Sequence, residues 1–86
     1  MYYLYILRSE KGGHYYTGIT NDLTQRLNRH NSGWVTATRA SRPWELVYKE
    51  EYEVRVEARR RELYIKSQKS KIFIENLIKQ SNSSGG

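Results

Sequence analysis

The segment Tyr2-Tyr3-Leu4-Tyr5-Ile6-Leu7 is aromatic or aliphatic at every position. Side chains alternate between the two faces of a strand, so Tyr3, Tyr5 and Leu7 share one face and Tyr2, Leu4 and Ile6 the other. A strand that is apolar on both faces must be covered on both, which makes it the central strand of a sheet with material packed above and below. In a chain of 86 residues this leaves room for one domain and one modest core. There is no cysteine, so disulfides, thiolate metal sites and cysteine nucleophiles are excluded. Two histidines exclude a three-histidine metal site. Stability is left to packing, with eight tyrosines and two tryptophans as the expected large fillers.

The rest of the chain reads outward from that strand. Ser9 to Gly13 is a turn with two glycines, and His14 to Ile19 is a second strand, so the two form a hairpin. Asn21-Asp22 offers a helix N-cap, and Leu23, Leu27 and Trp34 fall on one helical stripe with His30 close to it and Arg26 at its edge. Asn31-Ser32-Gly33 ends that helix. Val35 to Arg42 is polar and rich in threonine, with no assignable period. Pro43 opens a third strand, Trp44 to Glu51. Glu53 to Lys66 is a second helix, with Val54, Ala58, Glu62 and Ile65 on one side; Lys69 to Lys79 is a third, amphipathic one. Residues 81–86 read as a disordered tail after a domain at 1–80. The expected fold is α/β of the α+β kind: a three-stranded antiparallel sheet flanked by helices.

Lys and Arg number 15 against 9 acidic residues, a net charge of +6. In a small domain that balance favours a polyanionic partner, nucleic acid first. Arg59, Arg60, Arg61, Lys66 and Lys69 cluster around the second helix and are the expected backbone-binding residues, with a solvated face as the plain alternative. No apolar run approaches a membrane span, and Met1 leads into a segment too short for a signal h-region, so no membrane partner is expected and the cytoplasm is the expected compartment.

Three positions stand out chemically. Arg26 and His30 are four apart, which puts a guanidinium and an imidazole on one helical face, a pairing suited to holding and protonating a phosphate. Glu62 is a carboxylate on an apolar stripe and needs a partner. That partner is either an arginine, Arg26 or Arg61, or a hard divalent cation, which takes one or two carboxylates and keeps several waters.

Together these features resemble the GIY-YIG nuclease superfamily, in its small single-domain branch. Tyr3-Leu4-Tyr5 stands where the first short strand motif would be and Tyr16-Thr17-Gly18 where the second would be. Ile19 to Leu23, Arg26-Leu27, His30 to Gly33, Arg42 to Tyr48 and Ala58 to Glu62 continue the likeness, which covers about residues 1 to 78. The first motif lacks its glycine and isoleucine and the second has Thr17 for isoleucine; both tyrosines and the second glycine are kept. The resemblance implies a divalent-metal-dependent endonuclease, acting on DNA in repair or processing, that leaves a 5′-phosphate and a 3′-hydroxyl. It implies Tyr5, Tyr16, Arg26, His30 and Glu62 as the catalytic set. Glu62 would hold one Mg²⁺ or Mn²⁺, Arg26 would grip a nonbridging oxygen, and Tyr5, or failing it Tyr16, would take the proton from water with His30 accepting or passing it. Specificity would come from a protein partner or from DNA structure. The competing readings are a catalytically silent nucleic-acid-binding module on the same fold and a domain whose basic face meets an acidic protein.

Overall fold

The structure, a computed structural model, describes residues 1–83. Strand β1 (Tyr2–Ser9) runs up the middle of a three-stranded sheet, flanked by β2 (Tyr15–Thr20) and β3 (Trp44–Tyr52) in the order β2-β1-β3, both pairs antiparallel. The two-sided apolar pattern of β1 dictates this position. Leu4 and Ile6 are the centre of one core with Ile65; Tyr5 and Leu7 build a second, on the opposite face, with Trp44. All five of the sheet-centre side chains, Leu4 to Leu7 and Trp44, are buried. Each buried aliphatic side chain contributes about 1.5–3 kcal/mol relative to exposure.

The hairpin turn closes through Ser9, whose carbonyl accepts from Gly13 N at 2.8 Å while Gly13 takes φ 75°, a left-handed value suited to glycine. Between β1 and β3 the register shifts after Ile6: Ile6 opposes Tyr48 but Leu7 opposes Leu46, leaving Val47 as the extra residue of a bulge. Both Val47 and Tyr48 consequently pack on the Leu4–Ile6 core.

Helix α1 (Leu23–Ser32) covers the Tyr5–Leu7 face through Leu23 and Leu27. Asp22 caps it, accepting from Gln25 N at 3.0 Å, and Gly33 ends it at φ 88°. Helices α3 (Arg55–Gln68) and α4 (Lys71–Ser83) cover the other face, through Ile65 and through Phe73, Ile74 and Leu77. The segment without a readable period holds a single turn, α2 (Thr36–Arg39), whose one buried residue is Thr38.

Five expectations need correction. Trp34 is not a core filler: it lies past the helix and is 79 % exposed. Most tyrosines are only half-buried, and Tyr5 alone is in the core. Val54 is exposed as the residue before α3, so the buried stripe of that helix is Ala58, Glu62 and Ile65. Lys69 starts no helix but ends α3 in the left-handed region at φ 47°. The segment read as a tail from Ser81 begins inside α4, which runs to Ser83; residues 84–86 lie outside those described. Among the described residues no helix is long and apolar enough to cross a membrane.

Candidate active site

The site forms at the β2 edge of the sheet, and a missing side chain makes it possible. Tyr5 pairs across β1 and β2 with Gly18. Its ring lies over Gly18, where a β-carbon would stand 2.8 Å from Cζ. With only a hydrogen there, the phenol extends across β2 toward the open edge. A pocket of about 470 Å³ opens at that edge, lined by Tyr5, Tyr16, Gly18, Arg26, Arg59 and Glu62. Tyr16 arrives from β2 itself, Arg26 from α1 on one side of the sheet, and Arg59 and Glu62 from α3 on the other. An edge strand is the one place where helices from opposite faces can meet at a common cleft.

Four of the five residues read as catalytic thus share the pocket, and the fifth stands behind it. His30 is 1 % exposed and does not line the cleft. Its Nε2 is hydrogen-bonded to Tyr5 Oη at 3.1 Å and its Nδ1 to Thr38 Oγ1 at 2.8 Å. The Tyr16 ring sits 4.9 Å from the imidazole, centroid to centroid, and 6.4 Å from the Tyr5 ring. His30 therefore reaches the pocket through the two tyrosines, by a hydrogen bond to Tyr5 and a ring contact with Tyr16.

Burial pushes the Tyr5 phenol well above its ordinary value, and Tyr16 adds to the rise; the Arg26 guanidinium opposes it. His30 moves the other way. Its burial, and then the charges of Arg26 and Arg29, disfavour the imidazolium and lower its pKa. The two partners of one hydrogen bond are thus a phenol that keeps its proton and an imidazole held neutral.

Glu62 is 5 % exposed, and both its oxygens are engaged: Arg59 Nη1 donates to Oε1 at 2.6 Å and Lys66 Nζ to Oε2 at 2.9 Å. Burial alone would raise its pKa, but Lys66 and Arg59 outweigh burial and hold it below the usual carboxylate range. The partners are not the Arg26 or Arg61 expected from the stripe. Arg61 turns instead to Glu50 on β3, donating from Nε at 3.0 Å to Oε1 and from Nη2 at 3.1 Å to Oε2. Tyr52 donates to Glu50 Oε1 at 2.6 Å and Tyr48 to Oε2. Arg61 is therefore committed inside the protein.

The other basic residues divide similarly. Lys66 and Lys69 line a neighbouring groove of about 280 Å³ with Tyr15, Tyr16 and Ile74, so Tyr16 is shared between the two cavities. Arg60 is exposed and lines neither. Two residues escaped the sequence reading. Arg55 lines the pocket; positions 55, 59, 62 and 66 fall on one α-helical face, a polar stripe that was legible beside the apolar one. Thr38 left no signal, because one threonine in a threonine-rich stretch has no periodicity to betray it.

As a cation site the cleft offers one carboxylate; among the described residues no group of three or more His, Cys, Asp or Glu is gathered for a metal. The donor chemistry still suits a hard ion. Glu62 is ionised at neutral pH and faces a polar cleft, and a hydrated Mg²⁺ needs no more than one or two carboxylates from protein.

Comparison with known proteins bears on the family and the fold. The family model described as the GIY-YIG catalytic domain matches residues 1–82. A UPF0213 protein of Clostridium perfringens is 41 % identical over 87 residues, covering 95 % of this chain and 92 % of the relative. One from Bacillus pumilus is 40 % identical over 80 residues, covering 88 % and 81 %. The solution NMR structure of a UPF0213 protein from Bacillus halodurans is 34 % identical, covers 93 % of this chain and 85 % of its own, and superposes with a TM-score of 0.59. These matches run nearly the whole length of the chain, which belongs to the GIY-YIG family of nuclease domains.

Proposed function

We propose that this protein is a divalent-metal-dependent endonuclease that hydrolyses phosphodiester bonds of DNA. The observation that carries the reading is the convergence of two phenols, a guanidinium and a carboxylate on one cleft, with an imidazole bonded to the deeper phenol.

Arg26 is the residue to grip a nonbridging phosphate oxygen, since a guanidinium stays charged and donates in a planar fork. Lys66 and Lys69 continue the positive surface along the neighbouring groove and suit the backbone on one side of the cut. Arg59 and Lys66 have side chains 48 % exposed, so both can exchange the carboxylate for phosphate when a polyanion enters. Glu62 is the residue to hold Mg²⁺ or Mn²⁺, which when bound supplies neutralisation of phosphate charge.

Tyr5 is the first proton acceptor from the attacking water, ahead of Tyr16. Its raised pKa argues against a standing phenolate. The geometry favours a relay: Oη takes the proton of water while its own proton passes to Nε2 of His30, which its lowered pKa keeps unprotonated at neutral pH. Attack of the water oxygen on phosphorus breaks the bond to the 3′-oxygen, which takes a proton from solvent, so a 5′-phosphate and a 3′-hydroxyl are left, and His30 returns its proton to solvent by way of Tyr5.

Nicking of supercoiled and branched DNA with Mg²⁺ or Mn²⁺ tests this. Glu62→Ala and Arg26→Ala should each abolish cleavage; activity that survives either change belongs to a contaminant. A silent binding module is the second reading, favoured by the full occupation of Glu62 by Arg59 and Lys66. Salt-sensitive binding without cleavage on every substrate would select it. A preference for branched DNA would place the enzyme in repair or processing. A protein partner supplying specificity and action in the cytoplasm complete the proposal.

A further inference from the structure

Thr38 sits at the far end of the buried chain that starts at Tyr5. Its Oγ1 is 2.8 Å from His30 Nδ1 and 3.4 Å from the Val35 carbonyl oxygen. The residue is 2 % exposed, and its backbone is tied on both sides: its N–H donates to Val35 O at 3.1 Å, and its carbonyl accepts from the indole Nε1 of Trp44 at 2.9 Å and from Ser41 N at 3.2 Å. Helix α2 buries nothing else. The local fold therefore serves to hold one hydroxyl against one imidazole nitrogen.

A hydroxyl has one proton to give. If Thr38 gives it to Val35 O, its oxygen accepts from Nδ1–H, Nε2 is left bare, and Tyr5 donates to Nε2. Every member of the chain then has a partner. If Thr38 gives it to Nδ1, the imidazole proton moves to Nε2 and points at Tyr5 Oη. The phenol proton then has no acceptor in the buried chain. Arg26 favours the first arrangement. It can only donate and it lines the same pocket as Tyr5, so toward Arg26 the phenol offers a lone pair and keeps its own proton to give inward to Nε2.

We infer that Thr38 is a positioning residue that locks His30 in the tautomer protonated at Nδ1, keeping Nε2 open to receive the Tyr5 proton. The tautomer itself depends only on the fold; its importance for turnover rests on the nuclease reading above.

Nitrogen-15 NMR of the full chain, without nucleic acid or metal, reads the tautomer directly. The wild type should show His30 with a protonated Nδ1 and an unprotonated Nε2, and Thr38→Ser should keep that pattern. Thr38→Val, close in shape but without the hydroxyl, should lose it. On a cleavable DNA, Thr38→Val should lower kcat about a hundredfold with KM little changed, and Thr38→Ser should restore most of it. A wild-type His30 protonated at Nε2 overturns the inference, whether or not Thr38→Val folds. So does a folded Thr38→Val that keeps Nδ1 protonated. A protein with the expected tautomer that cleaves no DNA would leave the assignment of Thr38's hydrogen bond standing and would sink the nuclease reading alone.

Discussion

Gly18 lies where any side chain would strike the Tyr5 phenol: a β-carbon on it would stand 2.7 Å from Oη. The ring cannot simply step aside. Tyr5 is buried, and its hydroxyl is bonded to His30 on the inner side. Gly18→Ala should therefore displace the phenol and break its contact with the imidazole. The expected cost is about 1–3 kcal/mol of stability, the usual range for overpacking a close-packed site. Cleavage should fall much further than stability. Urea denaturation together with a plasmid-nicking assay separates the two effects, and a Gly18→Ala protein with wild-type nicking would show that the ring's path across β2 does not matter.

Glu50 ties β3 to α3 and should set the pH limits of the fold. Burial raises its pKa, but Tyr48, Tyr52 and Arg61 outweigh burial and hold it low. A carboxylate depressed in the folded state stabilises above its unfolded pKa, and the contribution is lost as pH falls through the folded one. Tyr48 and Tyr52 are both pushed up to about 12, first by burial and then by their bonds to Glu50. Their contribution is present below the unfolded value of about 10 and is lost as pH rises toward 12. Stability followed by circular dichroism should thus decline below the usual carboxylate range and again above about pH 10. Glu50→Ala should cost about 1–3 kcal/mol at neutral pH by leaving Arg61 and two phenols unpartnered, and should flatten both limbs.

The sheet was legible because its evidence is local. Two apolar faces on Tyr2–Leu7 put β1 in the centre, and Asp22 and Gly33 marked the ends of α1 by their own backbone chemistry. The partners of charged side chains on other elements were not legible. Glu62 was recognisable as a carboxylate in need of a cation, and its partners Arg59 and Lys66, three residues before it and four after it on α3, were within reach of helical spacing; what spacing could not show is that Arg61 turns away to Glu50 on β3. Helix α2 was invisible for a related reason: no amphipathic period defines one turn, and the Trp44 indole that anchors it comes from β3. His30 was placed close to the apolar stripe of the right helix, but its full burial was not legible, because spacing on a helix gives direction and not depth.

Removing the charge of Glu62 should separate folding from chemistry. In Glu62→Gln the buried carboxylate no longer has to be desolvated, while Arg59 and Lys66, half-exposed, return to water. The losses and gains nearly cancel, as they do for pairs with exposed partners, so stability should change by no more than about 1 kcal/mol. Nicking should nevertheless disappear, since an amide is a poor ligand for a hard divalent ion. A large drop in melting temperature would mean instead that Glu62 is chiefly a structural ion-pair centre, and would favour the silent-module reading.

His30 should impose an acid limb on both stability and cleavage. Its pKa is lowered in the folded protein by burial and then by Arg26 and Arg29, so the unfolded chain takes up the proton first. Stability from this group is complete above the unfolded value of about 6.5 and is lost as pH falls through the folded one. Cleavage runs the same way, because only the neutral imidazole can accept from Tyr5. The pH–rate profile should have its acid midpoint below about 6.5, and proton NMR of the His30 ring should titrate at that same midpoint. His30→Gln keeps a hydrogen-bonding group beside Tyr5 but cannot take up a proton, so its residual rate should lack this limb. An unchanged limb in His30→Gln would assign the titration to another group and remove His30 from the proton path.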